Sequence, residues 1–246
     1  PLRERPEKNV RVMYAPYWGV ALSELHPLTH PANAEALKQL EAWLAVAPDQ
    51  IYIYDYNMYY VPTWDVMAEK LKWYHAKGIE GIWFCGAPTC FRELFQYVTR
   101  RLCWDVTLDP EALKREYVEA VYGPAAPHML AYFARVKARL AKGFPRGIHD
   151  WFTPVAFYDD GHLTESLKLF DRMVEAVRDD ARLSGLLRRE REMMVADFMA
   201  GASFGRTGVP ENLRRQAVAL LTESVGENVR AVEAIEAQRQ GSELTA

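Results

Sequence analysis

The run IYIYDYNMYY, Ile51 to Tyr60, alternates: Ile51, Ile53, Asp55 and Asn57 fall on one side, Tyr52, Tyr54 and Tyr56 on the other. A period of two in a segment dense in β-branched and aromatic residues reads as a strand. The run GIEGIWFCG, Gly78 to Gly86, answers it as a second strand. Between them Met67, Leu71 and Tyr74 recur on one helical face within Thr63 to Lys77, and Gly78 stands where a helix stop belongs. Strand, helix, strand over this span is a βαβ unit, with parallel strands and a right-handed crossover. Ligands of such sheets gather at the carboxyl ends of the strands, where Asp55, Tyr56, Asn57, Cys85 and Gly86 fall.

Upstream, Val10, Val12 and Tyr14 form one face of a first strand that Pro16 ends. Tyr17 to Pro31, with Trp18, His26 and His30, has no period and reads as a long loop. Its aromatic and histidine content favours function over disorder. Asn33 can cap a helix reaching Val46, with Leu37, Leu40 and Leu44 inward and Trp43 beside them. Thr89 opens another helix, in which Leu94, Phe95, Val98 and Leu102 are spaced for burial. Residues 10–104 therefore hold three β-then-α units. Three units cannot close an eight-stranded barrel and make a poor open sheet alone; a small three-stranded α/β domain is the alternative.

After Trp104 the character changes. Asp109 and Pro110 start a helix that Gly123 ends, and Pro124 starts the next, carrying Met129, Leu130, Phe133, Val136 and Leu140. A Gly/Pro/aromatic loop spans 143–162, and helical stretches follow at about 163–180, 182–204 and 210–240. The expected organisation is an α/β region over 1–108 and a helical region over 109–246.

Half of the 246 residues are apolar, enough for one good core or two small ones. The 30 basic and 33 acidic residues give a net charge of −3, which leaves no electrostatic footprint for nucleic acid or an anionic membrane. No stretch approaches the roughly 18 apolar residues of a membrane helix. Cys85, Cys90 and Cys103 lack the paired spacing of a zinc site, and a reduced compartment or indifferent thiols fit them. Residue 1 is Pro, no secretory signal follows it, and Val10 to Pro16 already reads as a strand in mid-fold. The chain is thus expected to be a piece of a longer protein. Phosphate-loop, serine-elbow and HExxH patterns are absent, and no cofactor is expected.

Aromatics make up 12 % of the chain and concentrate in its first 160 residues. Near strand ends, stacking on sugar faces competes with core packing as their use. Trp18, Tyr59 and Tyr60 are the candidate platforms, whereas Trp64 and Trp83 read as packing between helix and sheet. Asp55 could serve as acid, base or acceptor of a sugar hydroxyl, or instead cap the next helix or hold loop amides. His26 could donate to a ligand, but His26 and His30 lack a third metal ligand. Cys85 reads as a small buried thiol rather than a nucleophile.

Several segments follow one another in a recognisable order. They are PYW at Pro16, HPL at His26, EAWL at Glu41, YDY at Tyr54, and KGIEGIWFCG at Lys77. RRLCWDVTLDPEAL at Arg100 and YVEAVYGPAAPHMLAYF at Tyr117 complete the set. Together they resemble the carboxyl-terminal part of the bacterial family catalogued as domain of unknown function 4838, over roughly residues 8–140. The resemblance implies a glycoside-hydrolase-like protein with a (β/α)8 barrel akin to those of α-glucuronidases and β-hexosaminidases. This chain would be its carboxyl-terminal portion, three β/α units followed by an all-helical region. It further implies a secreted or cell-surface carbohydrate-active protein whose main catalytic acid lies on strands outside this chain. Asp55 falls where the α-glucuronidase-like branch supplies late carboxylates. Where the family often shows an acidic residue and Gly, this chain has Phe84, Cys85 and Gly86.

The preferred expectation is hydrolysis of a glycosidic bond in an oligo- or polysaccharide, with Asp55 catalytic and no redox cofactor. Tyr17, Trp18, His26, Tyr56, Asn57, Tyr59 and Tyr60 would line the sugar site. The alternatives are a non-catalytic carbohydrate-binding protein with the same aromatic walls, and a helical module that binds a protein through the region after Asp109.

Overall fold

The computed structural model describes residues 4–16, 27–56, 64–86, 90–142, 157, 161–204, 211–212, 214–223 and 226. Strands β1 (Val12–Tyr14), β2 (Ile51–Tyr56) and β3 (Gly81–Cys85) form one parallel sheet in the order β1-β2-β3. Val12 pairs with Ile51, and Ile53 in turn pairs with Ile82. Helix α1 (Ala34–Val46) joins β1 to β2, and α2 (Trp64–Ala76) joins β2 to β3. The βαβ unit expected from the two runs is present.

The barrel expectation is overturned. Among the described residues the sheet has three strands, is not closed, and β1 and β3 each pair on one side only. Of these residues 71 % are helical. The helices after β3 are α3 (Arg92–Trp104), α4 (Pro110–Tyr122), α5 (Ala126–Leu140), α6 (His162–Ala176) and α7 (Ala181–Phe204). Their apolar faces meet each other, with Ile82 and Phe84 of β3 packed at the margin of the same core. Leu94, Val98, Leu113, Phe133, Phe170, Leu187 and Phe198 share one core with Trp64 and Met67 of α2. Helix-on-helix layers bury the apolar stripes of these helices.

A smaller core lies between the sheet and its two crossover helices. Ile51 and Ile53 are sealed there against Ala36 and Leu40 of α1 and Tyr74 of α2. Leu37, Trp43 and Leu44 pack at its margin, as their spacing indicates.

Local starts and stops follow their chemistry with three exceptions. Asp109 Oδ1 accepts from the Glu111 amide at 3.0 Å, and Gly78 at φ +73° ends α2. Asn33 does not cap α1; its Nδ2 donates to Pro27 O at 2.8 Å and holds the preceding loop. Pro124 sits in a 3-10 turn, Gly123–Ala125, before α5 begins. Helix α3 begins at Arg92 rather than at Thr89, which lies outside the described residues. The residue ahead of it, Phe91, is left-handed at φ 54°, and its amide donates to Glu190 Oε2 of α7 at 2.9 Å. Glu190 is buried, which pushes its carboxyl up to about 7 despite the Phe91 amide.

Charge also ties helices together. Lys137 of α5 reaches Asp65 of α2 at 3.2 Å and Glu111 of α4 at 2.8 Å, and Glu111 bonds Lys114 as well.

Candidate functional site

Strand β2 carries different chemistry on its two faces. Ile51, Ile53 and Asp55 face the helices, because the apolar members of that set are the ones the crossover helices bury. Asp55 is 1 % exposed, and its Oδ2 lies 2.7 Å from Nζ of Lys70, which is itself 1 % exposed. Lys70 sits on the inner side of α2 among Met67, Leu71 and Tyr74. Two charges taken out of water persist only as partners, so the pair fixes the end of β2 to the middle of α2. At this burial the carboxylate offers almost no surface to a solute. The signal for Lys70 was its place among Met67, Leu71 and Tyr74, because a lysine inside an apolar stripe is either solvent-bound or paired.

The opposite face is aromatic and lies away from the two crossover helices. Met13 pairs with Tyr52, Tyr52 with Gly81, and Tyr54 with Trp83. Tyr52 and Tyr54 are half-buried, and Trp83 is 60 % exposed. Trp64 packs as expected, edge-on to Phe133 at 4.8 Å, whereas the packing role expected of Trp83 is not what it has. At Gly81 an added Cβ would stand 2.7 Å from Cε1 of Tyr52, so the Tyr52 ring lies across the bare glycine toward β3. Tyr54 and Trp83 sit side by side at the strand spacing of about 4.8 Å.

Of the other expected site residues, Tyr56 closes β2 opposite Cys85. Tyr17, Trp18, His26, Asn57, Tyr59 and Tyr60 lie outside the described residues. His30 is exposed, with its amide on Pro27 O at 2.9 Å. Cys85 is half-buried rather than buried. Burial, with Asp197 and Glu190 nearby, holds the Cys90 thiol well above its ordinary range, so it stays protonated. Among the described residues no three His, Cys, Asp or Glu side chains converge to hold a metal, and no helix is long and apolar enough to cross a membrane.

Fold and site together define a mostly helical protein in which a short open parallel sheet, aromatic on one face, is joined to a helical body. The chain belongs to the family described as Domain of unknown function (DUF4838), whose model matches residues 1–134, from before β1 into α5. No curated protein and no solved structure matches it.

Proposed function

We propose that this protein binds a carbohydrate on the aromatic face of its sheet. The observation that carries the reading is the row of Tyr52, Tyr54 and Trp83 on the face away from the two crossover helices, with Trp83 the most exposed of the three. A pyranose presents a flat patch of C–H groups that stacks on an aromatic ring, while its hydroxyls need polar partners at the rim. Adjacent rings on neighbouring strands make a platform longer than one sugar, which suits an oligo- or polysaccharide. Hydrolysis would ask Asp55 to meet a substrate from inside its buried pair with Lys70, so binding draws more support than turnover.

The test is an oligosaccharide array probed with the whole chain, then with Trp83→Ala. Trp83 is largely exposed, so its removal leaves the fold intact, and affinity for the bound saccharide drops at least about tenfold. Undiminished binding by Trp83→Ala would remove the sheet face from the site.

A second reading is favoured by one observation. Parallel sheets are usually covered on both faces, and this one has a bare face and two unpaired edges among the described residues. On that reading the face packs against another protein layer. Indifference to every saccharide, together with self-association that Trp83→Ala abolishes, would select it.

A further inference from the structure

Helix α3 has a second face beside its buried stripe of Leu94, Phe95, Val98 and Leu102, and only Tyr97 of it packs partly against the larger core. Glu93, Tyr97, Arg101 and Trp104 recur along it at helical spacing, and Trp104 at its end is 93 % exposed. Against α4 this face bounds a groove of about 540 Å³, lined by Gln96, Tyr97, Arg100, Arg101, Trp104 and Tyr117, with Glu93 at one side. That volume is in the range of small-molecule sites.

The walls are held in place. The Tyr97 and Tyr117 rings lie 5.3 Å apart, and Arg101 Nη1 donates to the Tyr97 hydroxyl at 2.7 Å. Glu116 approaches Arg101 at 3.7 Å. Burial and the charges of Glu93 and Glu190 push the Tyr117 phenol up to about 12, so it remains a neutral donor at physiological pH.

What the groove leaves available defines its ligand. The charges balance: Arg101 is matched by Glu116, and Arg100 and Glu93 carry opposite signs. Neither an anion nor a cation is asked for. The side chains of Gln96 and Arg100 make no hydrogen bond or ion pair among the described residues, which leaves amide and guanidinium donors and an amide acceptor at the rim. An exposed indole beside uncommitted donors and acceptors, with no net charge, matches a neutral molecule that has both a C–H face and many hydroxyls. We infer that the groove between α3 and α4 is a separate binding site for an uncharged oligosaccharide. The ligand class follows from the groove's own lining and does not depend on the sheet face.

The experiment is calorimetric titration of the whole chain with cellohexaose, xylohexaose and maltohexaose, and with a poly-glutamate peptide as the charged control. The variants are Trp104→Ala, Arg100→Ala and Trp83→Ala. Trp104 is almost fully exposed, so Trp104→Ala keeps the fold. The expected result is that one hexasaccharide binds, that Trp104→Ala weakens it at least about tenfold, and that Arg100→Ala weakens it several-fold. If both sites bind, two phases appear, and Trp104→Ala and Trp83→Ala each remove a different one. Binding lost in Trp83→Ala alone would overturn the groove and leave the sheet face standing. Binding of poly-glutamate that depends on Trp104, or no hexasaccharide binding at all, would also overturn it.

Discussion

Lys70 Nζ lies 2.7 Å from Asp55 Oδ2, with both side chains sealed from solvent, so a charge pair locks α2 onto the end of β2. Removing one partner strands the other in a dry interior, whereas removing both does not. Asp55→Asn or Lys70→Met is therefore expected to cost about 3–5 kcal/mol in urea unfolding. The double change Asp55→Leu with Lys70→Met is expected to recover most of that. Equal losses for the single and double variants would show that the pair does not carry the effect.

Glu190 sets a pH dependence near neutrality. Its carboxyl stands at about 7 in the folded chain against an ordinary 4.5. Between those values the folded protein keeps a proton that the unfolded chain has released. Its contribution is fully present below about pH 4.5 and is lost as pH rises through about 7, on the order of 3 kcal/mol. Glu190→Gln keeps an acceptor for the Phe91 amide and should flatten the stability profile across that window. An unchanged slope in Glu190→Gln would place the titration elsewhere.

Glu111 acts in the opposite sense and at lower pH. Burial pushes its carboxyl up, but bonds from Lys114 and Lys137 more than reverse this and bring it down to about 2. Its contribution is present above about pH 4.5 and is lost as pH falls through about 2. Because Glu111 is partly exposed, Glu111→Gln is expected to cost under about 1 kcal/mol at neutral pH, and less in high salt. Acid unfolding curves at two salt concentrations check both points.

Gly78 ends α2 at φ +73°, and an added Cβ would stand 3.2 Å from Asp49 Oδ1. Gly78→Ala forces a left-handed alanine against that carboxylate and is expected to cost about 1–2 kcal/mol. Thermal unfolding should show a lowered midpoint, and an unchanged midpoint would mean the helix end relaxes freely.

Local patterns were readable wherever one periodicity ruled a segment. Met67, Leu71 and Tyr74 on α2 and Leu94, Phe95, Val98 and Leu102 on α3 are buried as their spacing indicates. The Asp109 cap and the Gly78 stop are single-residue signals, and both hold. What covers a strand face is a tertiary fact. The alternation of Ile51, Ile53 and Asp55 against Tyr52 and Tyr54 marks two faces, but not which one the helices take. That is why Asp55 reads as an open-site carboxylate in sequence and stands in a buried pair with Lys70 in structure. Trp83 errs the other way for the same reason. The barrel expectation came from the family resemblance, whereas the later apolar stripes find partners in one another. The spacing of Tyr97, Arg101 and Trp104 carries no signal of its own in sequence, because an aromatic on a helix is more often core and only exposure distinguishes the two.

The central claim is that the aromatic sheet face, not the buried carboxylate, holds the saccharide. It is tested by titrating the array's strongest saccharide into wild type, Trp83→Ala and the charge-free Asp55→Leu, Lys70→Met double variant. Binding weakened at least about tenfold in Trp83→Ala and kept in the double variant is the predicted result. Binding kept in Trp83→Ala and lost in a folded double variant would contradict it.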